Sequence, residues 1–358
     1  NSETPVSENS KLSLGYKFTA ENYSTKQSKA NNAYNQNVDA AWAFKGARTE
    51  AKVWDSYTNT QDPMFNPNGA TNSTVVNGPL VRRERRWQNA LGLSADYFLG
   101  EKFFVGLDTE WTINRYLNRA GGIQALSNVL NNSVWRYGGK MGYLIAPKTK
   151  MFTAVHRTVT HYTEETRIDH HRDTAVDFGI SGELSAKMKG LVQTGLVYQN
   201  FDRDPSNPNR QRIGRHWTSS VQLDYKPTDR CQFVVAANRG TVDSASTGSR
   251  YFITSGINTQ YKHKIGAATT WGLNGGVQWD KYNEDFVLVT SNATPAATPP
   301  IIKTRRDDNY VLGTSLDTKL NEWASTGVYY THTARFSTFS GQFSYRDNIT
   351  GLNVKFML

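Results

Sequence analysis

The densest chemistry in the chain is a run of basic residues, Arg82-Arg83-Glu84-Arg85-Arg86. Guanidiniums crowded in this way repel one another unless an anion joins them, so they suit a site that attracts carboxylates or phosphates. The same residue type recurs beside other patterned segments, as Arg167 and Arg172, Arg210-Gln211-Arg212 with Arg215, Arg250, and Arg305-Arg306, and Arg136 lies inside one. Arg82, Arg83, Arg86, Arg136, Arg172, Arg250, Arg305 and Arg306 are therefore the candidate anion site. A reading of equal weight pairs these arginines with loop acids such as Glu84, Asp204 and Asp307, or with phosphates outside the protein.

Other reactive combinations are weaker. His170-His171 with Asp169 and Asp173 matches a metal site in composition only, because these residues sit in a loop and share no helical face. Asp243 to Ser246 offers an acid and a serine without a nucleophile motif. Cys231 is the single cysteine, which excludes an internal disulfide framework and fits a small filler at a strand start. The chain is expected to be no enzyme and to hold no metal or cofactor.

The elements that must carry these residues alternate apolar and polar positions. Aromatic residues bracket the alternating segments in pairs: Trp87 and Tyr97, Trp135 and Tyr143, Trp217 and Tyr225, Tyr251 and Tyr261, Trp271 and Trp279, with Trp111 at a further end. Both members of each pair have one parity, so in a strand both rings point to one face. About eight to ten residues of tilted strand cover roughly 20–25 Å, the height of a lipid-facing apolar band with an aromatic girdle at each rim. Hydrophobic residues make up only 37% of the chain. That is too few for a large soluble core, but enough for a barrel whose outer face alone is apolar. A soluble propeller or sandwich has shorter strands, commonly about 5–6 residues.

Leu12, Leu14, Tyr16 and Phe18 open the series, and Leu352, Val354, Phe356 and Leu358 close it. Short turns near Gly46, Gly100, Pro147, Lys187, Pro227, Lys264 and Asn321 alternate with long connections, as short periplasmic turns alternate with long extracellular loops. The expected fold is all-β: a transmembrane antiparallel up-and-down barrel of about sixteen strands, with fourteen or eighteen as alternatives and both termini periplasmic. The third segment (Ala51, Val53, with Trp54 clouding it), the seventh (Met151 to Thr163) and the fifteenth (Trp323, Gly327, Tyr329) are poorly marked. Residues 1–9 are expected to be a periplasmic tail and 10–358 a single barrel, in the outer membrane of a Gram-negative bacterium.

The parity opposite to the apolar rows gives the interior. It collects Lys11, Lys17, Asp39, Lys45, Arg86, Asp96, Asp108, Glu110, Arg136, Lys140, Asp177, Gln222, Asp224, Arg250, Asn258, Gln260 and Asp280, which predicts a wet channel. The net charge is +10, from 41 basic and 31 acidic residues. With the bases scattered through strands rather than set on a helix, it points to the barrel interior and rim, not to nucleic acid. Arg85 shares the outward parity of Trp87 and suits lipid head groups; lipopolysaccharide and other outer-membrane lipids are the expected surroundings.

The closing stretch Ser344-Tyr345-Arg346-Asp347-Asn348-Ile349-Thr350-Gly351-Leu352-Asn353-Val354-Lys355-Phe356 resembles the end of the β-barrel porin family associated with exopolysaccharide gene clusters. Arg82 to Trp111 is similar in style. The chain departs from the usual terminal aromatic by ending in Leu358. The resemblance implies passage of a polysaccharide and a periplasmic export partner. Two functional readings remain open: an outer-membrane channel for hydrophilic, anionic solutes or an exported polysaccharide, and a structural barrel that houses or joins a partner protein. A homo-oligomer is compatible with either.

Overall fold

The computed structural model describes residues 2–21, 33–60, 85–117, 131–163, 170–204, 210, 212–244, 249–288, 301–339 and 344–356. The strands are β1 (Ser2–Ser7), β2 (Ser10–Glu21), β3 (Ala33–Lys45), β4 (Thr49–Thr60), β5 (Arg86–Leu99), β6 (Phe103–Tyr116), β7 (Asn132–Ala146), β8 (Thr149–Tyr162) and β9 (His171–Ser185). They continue as β10 (Met188–Phe201), β11 (Ile213–Thr228), β12 (Cys231–Asp243), β13 (Tyr251–Ile265), β14 (Thr269–Leu288), β15 (Ile301–Lys319), β16 (Ala324–Ser337) and β17 (Tyr345–Phe356). All belong to one seventeen-stranded sheet in which β2 to β17 follow in chain order, the up-and-down topology of a β-barrel.

The strand that the sequence did not announce is β1. Residues 2–7, expected within a tail, pair antiparallel with β2, Thr4 opposite Leu12 and Ser7 opposite Ser10. A two-residue turn at Glu8-Asn9 joins them, fixed by the Ser7 and Ser10 hydroxyls 2.8 Å apart. The alternation of β1 is broken by Pro5, where the ladder shifts register, as expected of a proline at a sheet irregularity.

Two compact units divide the chain. The first (1–65, 80–180 and 194–217) contains β1 to β8 whole. Its outward rows hold Leu14, Tyr16, Phe18, Trp42, Leu91, Leu93, Phe103, Val105, Trp111, Trp135 and Met141, all exposed, Met141 at 66% and Tyr16 at 65%. The second (66–79, 181–193 and 218–358) contains β12 to β17 whole. There Phe233, Ile257, Trp271, Leu273, Trp279, Leu312, Val328 and Leu352 are exposed in the same manner. So much contiguous apolar surface is far beyond what a soluble monomer presents to water. On strands paired with their neighbours in one sheet, it is the surface that hydrocarbon requires. This is an outer-membrane β-barrel.

Of the residues expected in the girdles, Tyr97, Trp111, Trp135, Trp217, Tyr225, Trp271 and Trp279 are exposed, Trp87, Tyr143 and Tyr261 half-buried, and Tyr251 buried. In the first unit Trp111 faces Trp135 and Phe103 faces Tyr143 across the ladder. Tyr97 is exposed, and Trp87 is half-buried against Tyr57. In the second unit Tyr225, Phe233, Tyr261 and Trp271 come from four successive strands near the short turns, with ring centroids 6.4, 4.6 and 5.9 Å apart in sequence. Trp217 and Trp279 are exposed on their strands. Tyr251 is only 3% exposed. It begins β13 beside the enclosed Ser244, Ser249 and Arg250, so its ring belongs to a packed strand end and not to a lipid-facing rim.

The fifteenth apolar row is also corrected. On β16 the residues opposite outward Leu316 and Leu352 are both Val328, so the even positions face out and Tyr329 with Gly327 face in. Inner rows are instead shaped by glycine. A Cβ at Gly142 would stand 2.2 Å from the Met151 carbonyl oxygen and 2.5 Å from the Phe104 ring. Gly142→Ala is expected to cost about 1–3 kcal/mol through this overpacking, read as a lower urea midpoint in detergent micelles.

Candidate functional site

The inner wall of the first unit carries charges in facing pairs. Asp96 on β5 is ion-paired with Lys140 on β7 at 2.8 Å and accepts from Lys150 on β8 at 3.2 Å. Lys150 also reaches Glu50 on β4 at 2.7 Å, and its ammonium lies 4.8 Å from the Phe98 ring centroid and 5.3 Å from that of Phe104. Strands four apart in order thus touch through their side chains, so the wall from β4 to β8 curls around an occupied interior. Farther along, His156 sits between two carboxylates, Nε2 at 3.1 Å from Asp108 and Nδ1 at 3.2 Å from Asp177. Phe104, Ala154, His156 and Asp177 are buried there. The expected wet interior is, along this arc, a packed polar core.

The inner wall of the second unit is closed at its outer end. Arg305 and Asp307 are 0% and 1% exposed. The Arg305 Nε donates to both carboxylate oxygens at 3.0 Å, the Ser337 hydroxyl donates to Oδ1 at 2.6 Å, and the guanidinium lies 4.6 Å from the Tyr282 ring centroid. Tyr282 stacks on Phe252 at 4.9 Å. Asn309 donates to Asp280 at 3.0 Å and accepts from the Arg335 Nε at 2.7 Å. Every member of this network joins neighbouring strands of β13 to β16.

Other stretches of the inner rows are open. In the first unit Lys11 and Lys17 on β2 and Lys52 on β4 are exposed. No carboxylate is paired with them among the described residues; Lys52 only leans toward the Trp54 ring, 5.7 Å away. In the second unit Asn238, Gln260 and Lys262 are exposed, with Gln232 held by Asp224 at 2.9 Å. Tyr329 lies over Gly351, where a Cβ would meet its ring at 2.5 Å.

The arginines of the predicted anion site take different faces and degrees of enclosure in each unit. Arg82 and Arg83 lie outside the described residues. Arg86 and Arg136 are half-buried on inner rows. Arg250 and Arg305 are on inner rows but enclosed, at 1% and 0% exposure, so they cannot meet a solute from the mouth. Arg172 shares the outward row of Val176 and Phe178, and Arg306 that of Tyr310 and Leu312, both exposed. A single-residue step reverses the face, and these two sit on the wrong side of it. His170 accepts from the Tyr162 amide at 3.0 Å and stacks on His161, while His171 packs 4.8 Å from the Phe201 ring. Glu50, Lys52, Lys150 and His156 went unread because β4 and β8 lack clean alternation; the usable signal was the register of the strands beside them.

No family model and no curated protein sequence matches the chain. Among solved structures it is similar to the FrpB iron transporter from Neisseria meningitidis, at 9% identity and a TM-score of 0.46, over 94% of this chain and 59% of that one. It is similar to the siderophore receptor PirA from Acinetobacter baumannii, at 8% identity and 0.44, over 98% and 69%. The alcaligin receptor FauA from Bordetella pertussis follows at 10% and 0.44, over 99% and 62%. The chain thus spans about three fifths of the length of FrpB and FauA. Likeness at this level reaches neither substrate nor mechanism.

Proposed function

We propose that the protein is an outer-membrane channel for hydrophilic solutes, with a preference for anions, and that an exported polysaccharide is among them. The carrying observation is the inner row of β2 to β4, where Lys11, Lys17 and Lys52 stand exposed and unpaired among the described residues. Fixed cationic groups on a pore wall raise the local anion concentration. The arginine rim contributes less than its count suggests, because Arg305 is already neutralised by Asp307. Amides and an open tyrosine on the inner face of the second unit support a hydroxyl-rich solute, since each amide offers both donors and acceptors. The likeness of the closing stretch to polysaccharide-associated barrels agrees with that choice.

Planar-bilayer recording of the refolded protein in a tenfold KCl gradient tests the reading. The expected result is discrete conductance steps with a reversal potential of the anion-selective sign. Membranes that stay silent, or a cation-selective sign, would remove it.

A further inference from the structure

The outward row of β8 carries one guanidinium. Met151, Val155 and Val159 share that row with Arg157, which is exposed and has no acidic partner among the described residues. In register Arg157 stands opposite Tyr137, and Val159 opposite Trp135, which itself faces Trp111. The arginine is therefore one outward-facing step below the ring level of these tryptophans, on the half of β8 that leads to the long connection. Beside it is a groove of about 600 Å³ lined by Leu107, Trp135, Tyr137, Gly139, Val155 and Arg157. Gly139 makes its floor: a Cβ there would meet only the Gly106 carbonyl oxygen, at 3.7 Å. Its aromatic side is fixed, since the Trp135 Nε1 donates to the Thr109 hydroxyl at 2.9 Å and its ring lies 4.9 Å from that of Tyr137.

A guanidinium on a lipid-facing wall is tolerated when its stem lies along apolar surface and its head reaches the polar interface. With no carboxylate to meet, Arg157 needs an anion from outside the chain, and the species at that depth are lipid phosphates. We propose that the groove is a binding site for one phosphorylated glycolipid of the outer leaflet. An acyl chain lies over Gly139 between Leu107 and Val155, and a headgroup phosphate rests on Arg157 beside Trp135. Asp108 also borders the groove, but its carboxylate is turned to the inner face and held by His156 at 3.1 Å. Occupancy by a second copy of the chain is disfavoured by charge, because the ionic side chain on the outward face of the groove is the cationic Arg157, which would face itself.

Native mass spectrometry of the detergent-solubilised barrel titrated with bisphosphorylated lipid A tests this. The wild-type barrel is expected to retain one lipid A. Arg157→Gln and Gly139→Leu are each expected to weaken retention at least tenfold, Arg157→Lys to keep most of it, and dephosphorylated lipid A to bind the wild type no better than lipid A binds Arg157→Gln. Heat-modifiable gel mobility confirms that each variant is folded, and Gly139→Leu points into open space, so it keeps the barrel intact. Retention equal to wild type in a folded Arg157→Gln or Gly139→Leu variant would overturn the site. So would displacement of lipid A by millimolar inorganic phosphate, or a dimer in place of the lipid adduct.

Discussion

Asp307→Ala is expected to lower the unfolding free energy by about 3–5 kcal/mol, the cost of stranding a buried charge. Arg305 is fully enclosed, and its guanidinium is held by the two Asp307 oxygens with the Tyr282 ring below. Without the carboxylate it keeps the cation–π contact, worth about 2 kcal/mol when desolvated, and loses the charge-assisted hydrogen bonds to Asp307. The Ser337 hydroxyl loses its acceptor as well. Removing both charges at once behaves differently: Arg305→Met with Asp307→Leu replaces the pair by apolar volume and is expected to recover most of the loss. Tryptophan fluorescence during urea unfolding in micelles reads both variants. If Asp307→Ala matched the wild type, the enclosed pair would have no structural weight, and the sealed outer end of β13 to β16 would have to be abandoned.

That pair also shows where reading the chain as text stops. The strands were legible because hydrocarbon and water act on alternate residues, so Trp135, Tyr137, Gly139 and Met141 share one fate and Arg136, Gly138 and Lys140 the other. The signal failed where one face gave mixed answers. On β8, Arg157 and His161 interrupt the outward row. On β4, Trp54 is aromatic yet points inward, because Gly92 leaves room for it: a Cβ there would stand 2.2 Å from the Trp54 ring. On β16, outward His332 is bound to Asn348 at 2.8 Å, and inward Tyr329 mimics an apolar row. The candidate site was less legible than the fold. Parity tells which face an arginine takes, and separates Arg305 from Arg306. It does not tell whether that face is open. Enclosure depends on which residue stands opposite in the next strand, and Ser337 beside Asp307 is thirty positions away.

The same distinction sets the second large effect. Reversing the three open lysines, as Lys11→Glu, Lys17→Glu and Lys52→Glu together, is expected to turn the channel from anion- to cation-preferring. The reversal potential would change sign within the limit of about ±59 mV for a tenfold salt gradient. Each substitution moves the local charge by two, on side chains exposed to the inner face with no carboxylate against them among the described residues. Over a Debye length of about 10 Å at 0.1 M salt, such groups act on a passing ion and distant ones do not. The paired lysines supply the contrast. Lys140 lies 2.8 Å from Asp96, and its field is largely cancelled there. Lys140→Gln should therefore leave selectivity nearly unchanged while weakening the packed arc from β5 to β8. A triple variant that kept the wild-type sign would mean that ions travel elsewhere than along β2 to β4. A sign reversed by Lys140→Gln alone would place the path through the interior that the Asp96 cluster fills.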